Sequence, residues 1–518
     1  MAREPLSLTP TMSVSIDDAI EVILGDRCLS LHPSARQALA TTHQQLEEMR
    51  SAGALLYGVT TGFGPLASQA VDSDSGKTLQ KNLIYHLSSG TGQPMEPHWV
   101  LAMLFCRILS LSRGHSAMSE DTLDRLIQCF NARLIPEVPR YGTVGASGDL
   151  TPLAHAMLAM MGEGRFLVDG RPTPGRDILS AHGIAPIELG DRDGLAFVNG
   201  TAAMTGLAVL ASHRARRFQR WSIALGALFA ECMGARRQAF NALLANLRNQ
   251  EGQRRVTAEL SHWLDGSRRL TAPNEPRPSL GHGRSPVLQD PYTIRCIPQM
   301  LGAIDDALEY HATLVGRELN GVTDNPVFIH DGEPQALHGG NFFGHPVALS
   351  SDHLNQALIS LAVLQERQIA RICDDSKSPF PAFLQPHQPG IQSGFMGAQV
   401  AASSLVAQLR SLATPLAIQS MPTNADNQDV NPMGTLAALR SHEILDRLSE
   451  ITAILAAAII QARSLQDDDC HQDYAPRTRA LARGLEKHFD ALEEDRPLSD
   501  DLNQLGDFLE SNDPDDFI

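Results

Sequence analysis

A mainly α fold, a bundle of long antiparallel helices with irregular loops and little strand, is what this sequence predicts. Three observations carry it. Apolar residues recur with helical spacing over long segments, near 97–112, 149–161, 196–248, 295–319, 350–373, 397–414 and 434–465. Strand-like alternation is scarce, and aromatic residues make up only 5 % of the chain. The non-helical stretches are few, as a long-helix bundle requires.

Single elements follow. Ser15 with Asp18 reads as a capping box before Ile16, Ile20, Ile23 and Leu24, and Gly25 ends that helix. After Ser119, residues Leu123, Leu126, Ile127, Phe130 and Leu134 mark one helix face, with Pro136 as the expected stop. The uncharged run Leu195–Ser212 carries Asn, Gly, Thr and Ser and reads as a buried core helix, not a membrane span.

The totals bound the function. With 518 residues, 43 % of them hydrophobic, the chain can bury a large core. We divide it into an N-terminal part (1–195), a central long-helix bundle (196–465) and C-terminal helices with an acidic tail (466–518). The formal charge of −17 suits neither a phosphate backbone nor an anionic membrane surface. Residues 493–518 hold ten Asp and Glu against Arg496 alone, which reads as a solvated terminus. Seven cysteines without a C-x-x-C pair imply reduced thiols in a cytoplasmic protein, and no zinc or other metal site. The N-terminus lacks the apolar run of a signal peptide.

Function is expected in the loops, which are rich in Gly, Asn, Gln and Tyr. They are "YGVTTGFGPLA" (57–67), "VPRYGTVGASG" (138–148), a long 271–292 connection that reads as a lid, "TDNPVFIHDGEPQALHGGNFFG" (323–344) and "MPTNADNQDVNP" (421–432). In "GTVGASGDLTPLAH" three readings of Ala146-Ser147-Gly148 compete. One is a tight turn, with Gly145 and Gly148 at positive φ and Asp149 as N-cap of a helix that takes Pro152 in its first turn. Another is a serine nucleophile, but G-x-S-x-G is not met and no strand is expected before it. The third is backbone cyclisation. The Gly148 nitrogen would attack the Ala146 carbonyl, and loss of water, including the Ser147 hydroxyl, would leave an exocyclic methylidene. The following helix would aim its positive end at that electrophile.

Taken in order, "YGVTTGFG", "GTVGASGDLTPLAH", "FVNGT", "QDPYTIRC", "TDNPVF", "HGGNFFG", "SGFMGAQV" and "TNADNQD" resemble the aromatic amino acid ammonia-lyases and related 2,3-aminomutases, from about residue 15 to about 465. The resemblance implies that Ala146, Ser147 and Gly148 become 4-methylidene-imidazol-5-one (MIO), with no external cofactor or metal. It also implies a homotetramer with shared active sites, and no C-terminal shielding domain. It gives Tyr57 as the base, on a loop made mobile by Gly58, Gly62 and Gly64. A free phenol titrates at about 10, so that base needs nearby positive potential. Arg295 becomes the carboxylate clamp, with Tyr292 facing the site. Asn199 supports ring formation and contacts the substrate, and Asn325 adds a carboxylate contact. Phe342 packs beside the electrophile, and Asn424, Asn427 and Gln428 supply polar groups near the substrate.

The resemblance also bears on the substrate. His86-Leu87 stands where histidine lyases show Ser-His and phenylalanine lyases Phe-Leu, and it matches tyrosine lyases. His86 can hydrogen-bond a para-hydroxyl that an apolar residue would strand at about 1–3 kcal/mol. Leu87 and Leu150 would wall the aromatic ring. Gln428 and Thr60, where histidine lyases carry Glu and usually Asn, argue against histidine. Tyr85 and Asp426 leave room for a catechol substrate. The expectation is deamination of L-tyrosine to trans-p-coumarate. A tyrosine 2,3-aminomutase, a histidine, phenylalanine or 3-hydroxytyrosine lyase and, more remotely, a serine hydrolase or a non-catalytic relative are its rivals.

Overall fold

The computed structural model describes residues 4–272, 275, 289–329 and 334–517. Most of the expected 271–292 lid lies outside these residues. The helices of the first half are α1 (Ile16–Leu24), α2 (Pro33–Ser51), α3 (Gly76–Leu87), α4 (Pro97–Leu111), α5 (Glu120–Asn131), α6 (Leu150–Met160), α7 (Gly175–Ala181) and α8 (Asp193–Val198). The long helices follow, with short ones between them: α9 (Ala202–Cys232), α10 (Ala242–Arg248), α11 (Glu251–Trp263), α12 (Tyr292–Arg295), α13 (Ile297–Leu319), α14 (His345–Ile372), α15 (Met396–Ser411) and α16 (Gly434–Ser464). Three shorter ones close the chain: α17 (Asp468–His471), α18 (Pro476–Leu485) and α19 (Ser499–Ser511). Strand is confined, among the described residues, to two-stranded pairings such as β1 (Leu6–Leu8) with β2 (Leu29–Leu31) and β3 (Thr91–Pro94) with β4 (Pro139–Tyr141). The mainly helical fold is the expected one. No helix among the described residues is long and apolar enough to cross a membrane.

Two compact units emerge, each discontinuous in sequence: 1–213 with 311–352 and 415–441, and 214–310 with 353–414 and 442–518. The division proposed from sequence runs in consecutive segments, whereas α9, α13, α14 and α16 each contribute residues to both units.

In the first unit the core centres on α4, whose residues from Trp99 to Leu111 are all buried. Its sequence "WVLAMLFCRILSL" is apolar all round, which marks a helix surrounded by others. Pro97 enters at the first helical position, where no backbone donor is lost. The Ser15–Asp18 capping box forms as expected, and the N–H of Gly25 bonds to Glu21 at the end of α1. The α5 helix stops earlier than Pro136. Arg133 turns left-handed at φ 52°, the Leu134 N–H bonds back to Cys129, and Leu134 is buried outside the helix. The Arg133 guanidinium then reaches the carbonyls of Val22 and Ile23, satisfying the C-terminal end of α1.

Three further expectations are corrected. The 195–212 run is not one helix: it breaks at Asn199-Gly200-Thr201, between α8 and α9. The 196–248 periodicity breaks again after Cys232, where Gly234 takes φ 58°. The acidic tail is not simply solvated. In the second unit α19 buries Leu505 and Leu509, and Phe508 and Phe517 ring the buried Trp221. Its carboxylates meet the arginines of α9, with Glu510 on Arg214 and Asp513 and Asp515 on Arg220. The amphipathic spacing of the tail, hidden in its charge, provides the docking face.

The end of α3 is tied to α6 by one hydrogen bond, from the Gly90 N–H to Nε2 of His155 at 3.0 Å. Burial pushes the His155 pKa down, opposed by Glu137 and reinforced by Arg165. The unfolded chain therefore binds this proton more readily than the folded one. The contribution is intact above about pH 6.5 and falls as pH drops below that value toward the lowered native pKa. Between about pH 7 and pH 5 the thermal midpoint of the wild type should fall further than that of His155→Gln, whose amide oxygen still accepts from Gly90. Parallel melting curves for the two proteins would refute this.

Candidate active site

A cavity of about 880 Å³ opens in the first unit, within the size range of small-molecule sites. Its floor is the stretch that the sequence singled out. Gly145 and Gly148 take φ of 75° and 71°, as expected. The backbone of Gly148 pairs with that of Ala146 on one side and Gly200 on the other. A Cβ on Gly148 would lie 2.2 Å from the Gly200 oxygen, so no other residue fits here. That oxygen also accepts the Asp149 N–H at 2.7 Å.

Asp149 occupies the N-cap position of α6, but its side chain does not cap the helix. It is fully buried and accepts instead from the Met204 N–H at 2.8 Å and from the Thr435 hydroxyl. Burial pushes its pKa up to about 6, against the pull of these hydrogen bonds and with a further push from Glu318. A three-residue strand, β4, does precede the motif, contrary to expectation. It turns back onto β3 and is separated from Ser147 by the glycine turn. The Ser147 hydroxyl oxygen accepts from the Gln428 amide at 3.0 Å, and Thr423 donates to the other end of that amide at 2.7 Å. A donor, not a base, therefore faces Ser147.

The loop after α2 forms one wall. Tyr57 is half-buried, and its hydroxyl oxygen accepts the Gly64 N–H at 2.8 Å. Gly58 sits at φ 68° with Leu195 and Phe63 where a Cβ would point. Gly62 has no room either, its Cβ position being 2.7 Å from the Leu66 oxygen. The buried Gln80 of α3 holds the loop by donating to the Gly58 carbonyl at 2.9 Å and accepting the Leu195 N–H at 2.8 Å. Gly64 lies against Asn424 and Asn427, both of which line the cavity. Asn424 opens the run Asn424-Ala425-Asp426, three successive left-handed residues, and Asn427 follows it.

His86 and Leu87 end α3 at the cavity, with Leu150 from the first turn of α6. The Nδ1 atom of His86 lies 3.1 Å from the Asn82 carbonyl. A carbonyl can only accept, so Nδ1 carries a proton, a tautomer that leaves Nε2 as the acceptor of an uncharged ring. Asn199, at the break between α8 and α9, donates to the Asn325 carbonyl at 2.9 Å, and its own buried Oδ1 has no hydrogen-bond partner among the described residues. The Asn325 side chain accepts from the Gly339 N–H at 2.8 Å. Phe342 lines the same cavity.

Tyr292 and Arg295 are not among these lining residues. They belong to the second unit, where Tyr292 is exposed and the Arg295 guanidinium stacks on its ring at 4.8 Å and bonds to Gln289. Sequence reasoning also missed residues that do line the cavity. Leu79, Asn82 and Leu83 share the His86 face of α3, a signal available by stepping back three, four and seven residues. Asp429 and Val430 simply continue the Gln428 segment.

The chain matches the family model described as aromatic amino acid lyase over residues 14–487. It is 43 % identical to a tyrosine ammonia-lyase of Cereibacter sphaeroides, over 97 % of each chain. Its identity to a histidine ammonia-lyase of Symbiobacterium thermophilum is 35 %, over 92 % of each. Among solved structures, a tyrosine aminomutase from Streptomyces globisporus superposes with a TM-score of 0.92 at 31 % identity, covering 98 % of this chain and 97 % of the other.

Gly148→Ala combines a left-handed backbone with the overlap on Gly200. It should cost at least about 1–3 kcal/mol, read as a lowered thermal midpoint. An unchanged midpoint would mean that the Gly148–Gly200 contact is looser than described.

Proposed function

This chain belongs to the aromatic amino acid lyase family, and we propose that it deaminates L-tyrosine to trans-p-coumarate and ammonia. The observation that carries the choice of substrate is His86: an acceptor nitrogen, its tautomer set by Asn82, on the same cavity as Tyr57 and Ser147. A para-hydroxyl would donate to it, whereas phenylalanine would leave it unpaired.

The Ala146-Ser147-Gly148 stretch suits the MIO group. The backbone folds back on itself at Gly148, and Gln428 donates to the oxygen that must leave Ser147. Once formed, MIO supplies an electrophile for the substrate amine, a poor leaving group by itself. Tyr57 takes the β-proton as the phenolate, and the Gly64 N–H donates to the oxygen that carries the negative charge before the transfer. The Oδ1 of Asn199, unpaired among the described residues, is an acceptor for the substrate amine. Leu87 and Leu150 wall the ring. Arg295, with Tyr292, would clamp the carboxylate from a neighbouring subunit of a homotetramer, since the cavity described here contains no arginine among its lining residues.

The tyrosine aminomutase likeness supports a second reading, in which the olefin is held long enough for ammonia to return at the β-carbon. Near-UV absorbance with L-tyrosine, together with chiral analysis for β-tyrosine, separates the two. A rapid, complete rise supports the lyase, and a slow, partial rise with β-tyrosine supports the mutase. Urocanate from L-histidine without coumarate from tyrosine would overturn the reading of His86.

Two variants follow. Tyr57→Phe should lower kcat by about 10²–10⁴ without comparable loss of tyrosine binding. His86→Phe should shift the tyrosine-to-phenylalanine ratio of kcat/KM by about 10–100-fold toward phenylalanine, the equivalent of one stranded hydroxyl. An unchanged ratio would remove His86 from recognition.

A further inference from the structure

Behind the cavity floor lies a charged cluster that the reaction does not touch. Arg107 of α4, Arg192 and Asp324 are fully buried. Arg192 bonds to Asp324 at 3.0 Å, and Arg107 stands 4.0 Å from the same carboxylate. The Arg107 fork spans two stretches of backbone. One arm donates to the Thr323 carbonyl at 2.8 Å, the other to the Ala196 carbonyl in the last turn of α8. Between these two anchors lies Gly200. A Cβ on Gly200 would be 2.2 Å from the Arg107 guanidinium, so the cation fills the space directly behind that peptide. Gly200 in turn pairs with Gly148 and accepts the Asp149 N–H. Guanidinium, Gly200 and Gly148 are therefore in successive close contact.

We propose that Arg107 is a positioning residue for ring closure, bracing the Gly200 peptide against Gly148 so that Gly148 stays folded back on Ala146. The proposal rests on the reading of Ala146-Ser147-Gly148 as the precursor of MIO. The chemistry that the brace serves is a double dehydration. A bond forms between the Gly148 nitrogen and the Ala146 carbonyl carbon. The Ala146 oxygen leaves as water with the amide hydrogens of Gly148 and Ser147. The Ser147 hydroxyl leaves with the Ser147 α-hydrogen as a second water. No oxidant or reductant is needed. Ring closure requires the chain to hold a strained turn while a weak amide nucleophile attacks, so its rate depends on how little the turn can relax. Removing the guanidinium opens space behind Gly200 and strands the Ala196 and Thr323 carbonyls, and Gly200 can then draw back from Gly148.

The charge count favours a foldable variant. Two guanidiniums share one carboxylate, so Arg107→Met leaves Arg192 and Asp324 as a matched pair. The experiment measures the intact mass of wild type, Arg107→Met and Arg107→Lys, and of the proteolytic peptide spanning residues 146–148. Circular dichroism and thermal midpoints are recorded alongside. The wild-type peptide should be lighter than its sequence by two waters. If it is not, the MIO reading fails, and that failure is distinct from failure of the brace. Arg107→Met should remain helical yet keep a large linear fraction, heavier by two waters, and Arg107→Lys should be intermediate. If Arg107→Met does not fold, Arg107→Lys decides alone, and a linear fraction supports the proposal. Full cyclisation in every folded variant, even with lowered midpoints, would overturn it, because a role in stability alone moves the midpoint and not the mass.

Discussion

The close approach of Gly148 to Gly200 is the constraint on which the site depends. Neither position has space for a side chain: the Gly200 peptide fills the space beside Gly148, and Arg107 and Thr323 fill the space beside Gly200. Because Gly200 accepts the Asp149 N–H, the contact sets where α6 begins and which way Leu150 faces. Because Asp149 then points inward, its carboxylate is available to gather the start of α9 through Met204 and the start of α16 through Thr435. Three distant stretches of the chain meet at one glycine pair. A carboxylate this deeply buried is costly, and the hydrogen bonds offset that cost only in part, which is why its pKa rises.

The helices were legible because their signals are local. Capping boxes, 3.6-residue spacing and Pro at first helical positions are properties of a few consecutive residues, and α1, α4, α13, α15 and α16 lie close to where their periodicity put them. What misled was the same logic carried too far. Apolar character continues through residues 195–212, yet the helix breaks at Asn199, because tertiary contacts with Asn325 and Gly148 outweigh local propensity. Arg133 ends α5 through a left-handed turn that no arginine announces. The acidic tail looked solvated because charge is conspicuous and the spacing of Leu505, Phe508, Leu509 and Phe517 is not.

The site was legible in another way. Its residues lie in separate loops with no common periodicity, so only the joint pattern of short motifs pointed to them. The cavity gathers Tyr57, His86, Leu87, Ala146, Ser147, Leu150, Asn199, Asn325, Phe342, Asn424, Asn427 and Gln428. Partners that never touch a ligand escaped notice. Gln80 and Arg107 in their helices and Arg192 just before α8 look ordinary until their long side chains are seen reaching backbone carbonyls across the fold.

The arrangement separates what must be rigid from what can vary. The Ala146–Gly148 stretch is held from behind by backbone pairing and from the side by Asp149, so almost any change there disturbs several elements at once. On the proposed reading, ring recognition falls instead to the exposed C-terminal turn of α3, where His86 bonds to a carbonyl of its own helix. Replacing that side chain alters the polarity of the cavity wall without moving Gly148, Gly200 or Asp149. A family containing relatives named for tyrosine and for histidine is what such a division permits. On that reading the reacting end of the substrate is common to all, and the fold fixes the groups that would handle it; the far end differs, and the residue proposed to meet it has few obligations elsewhere.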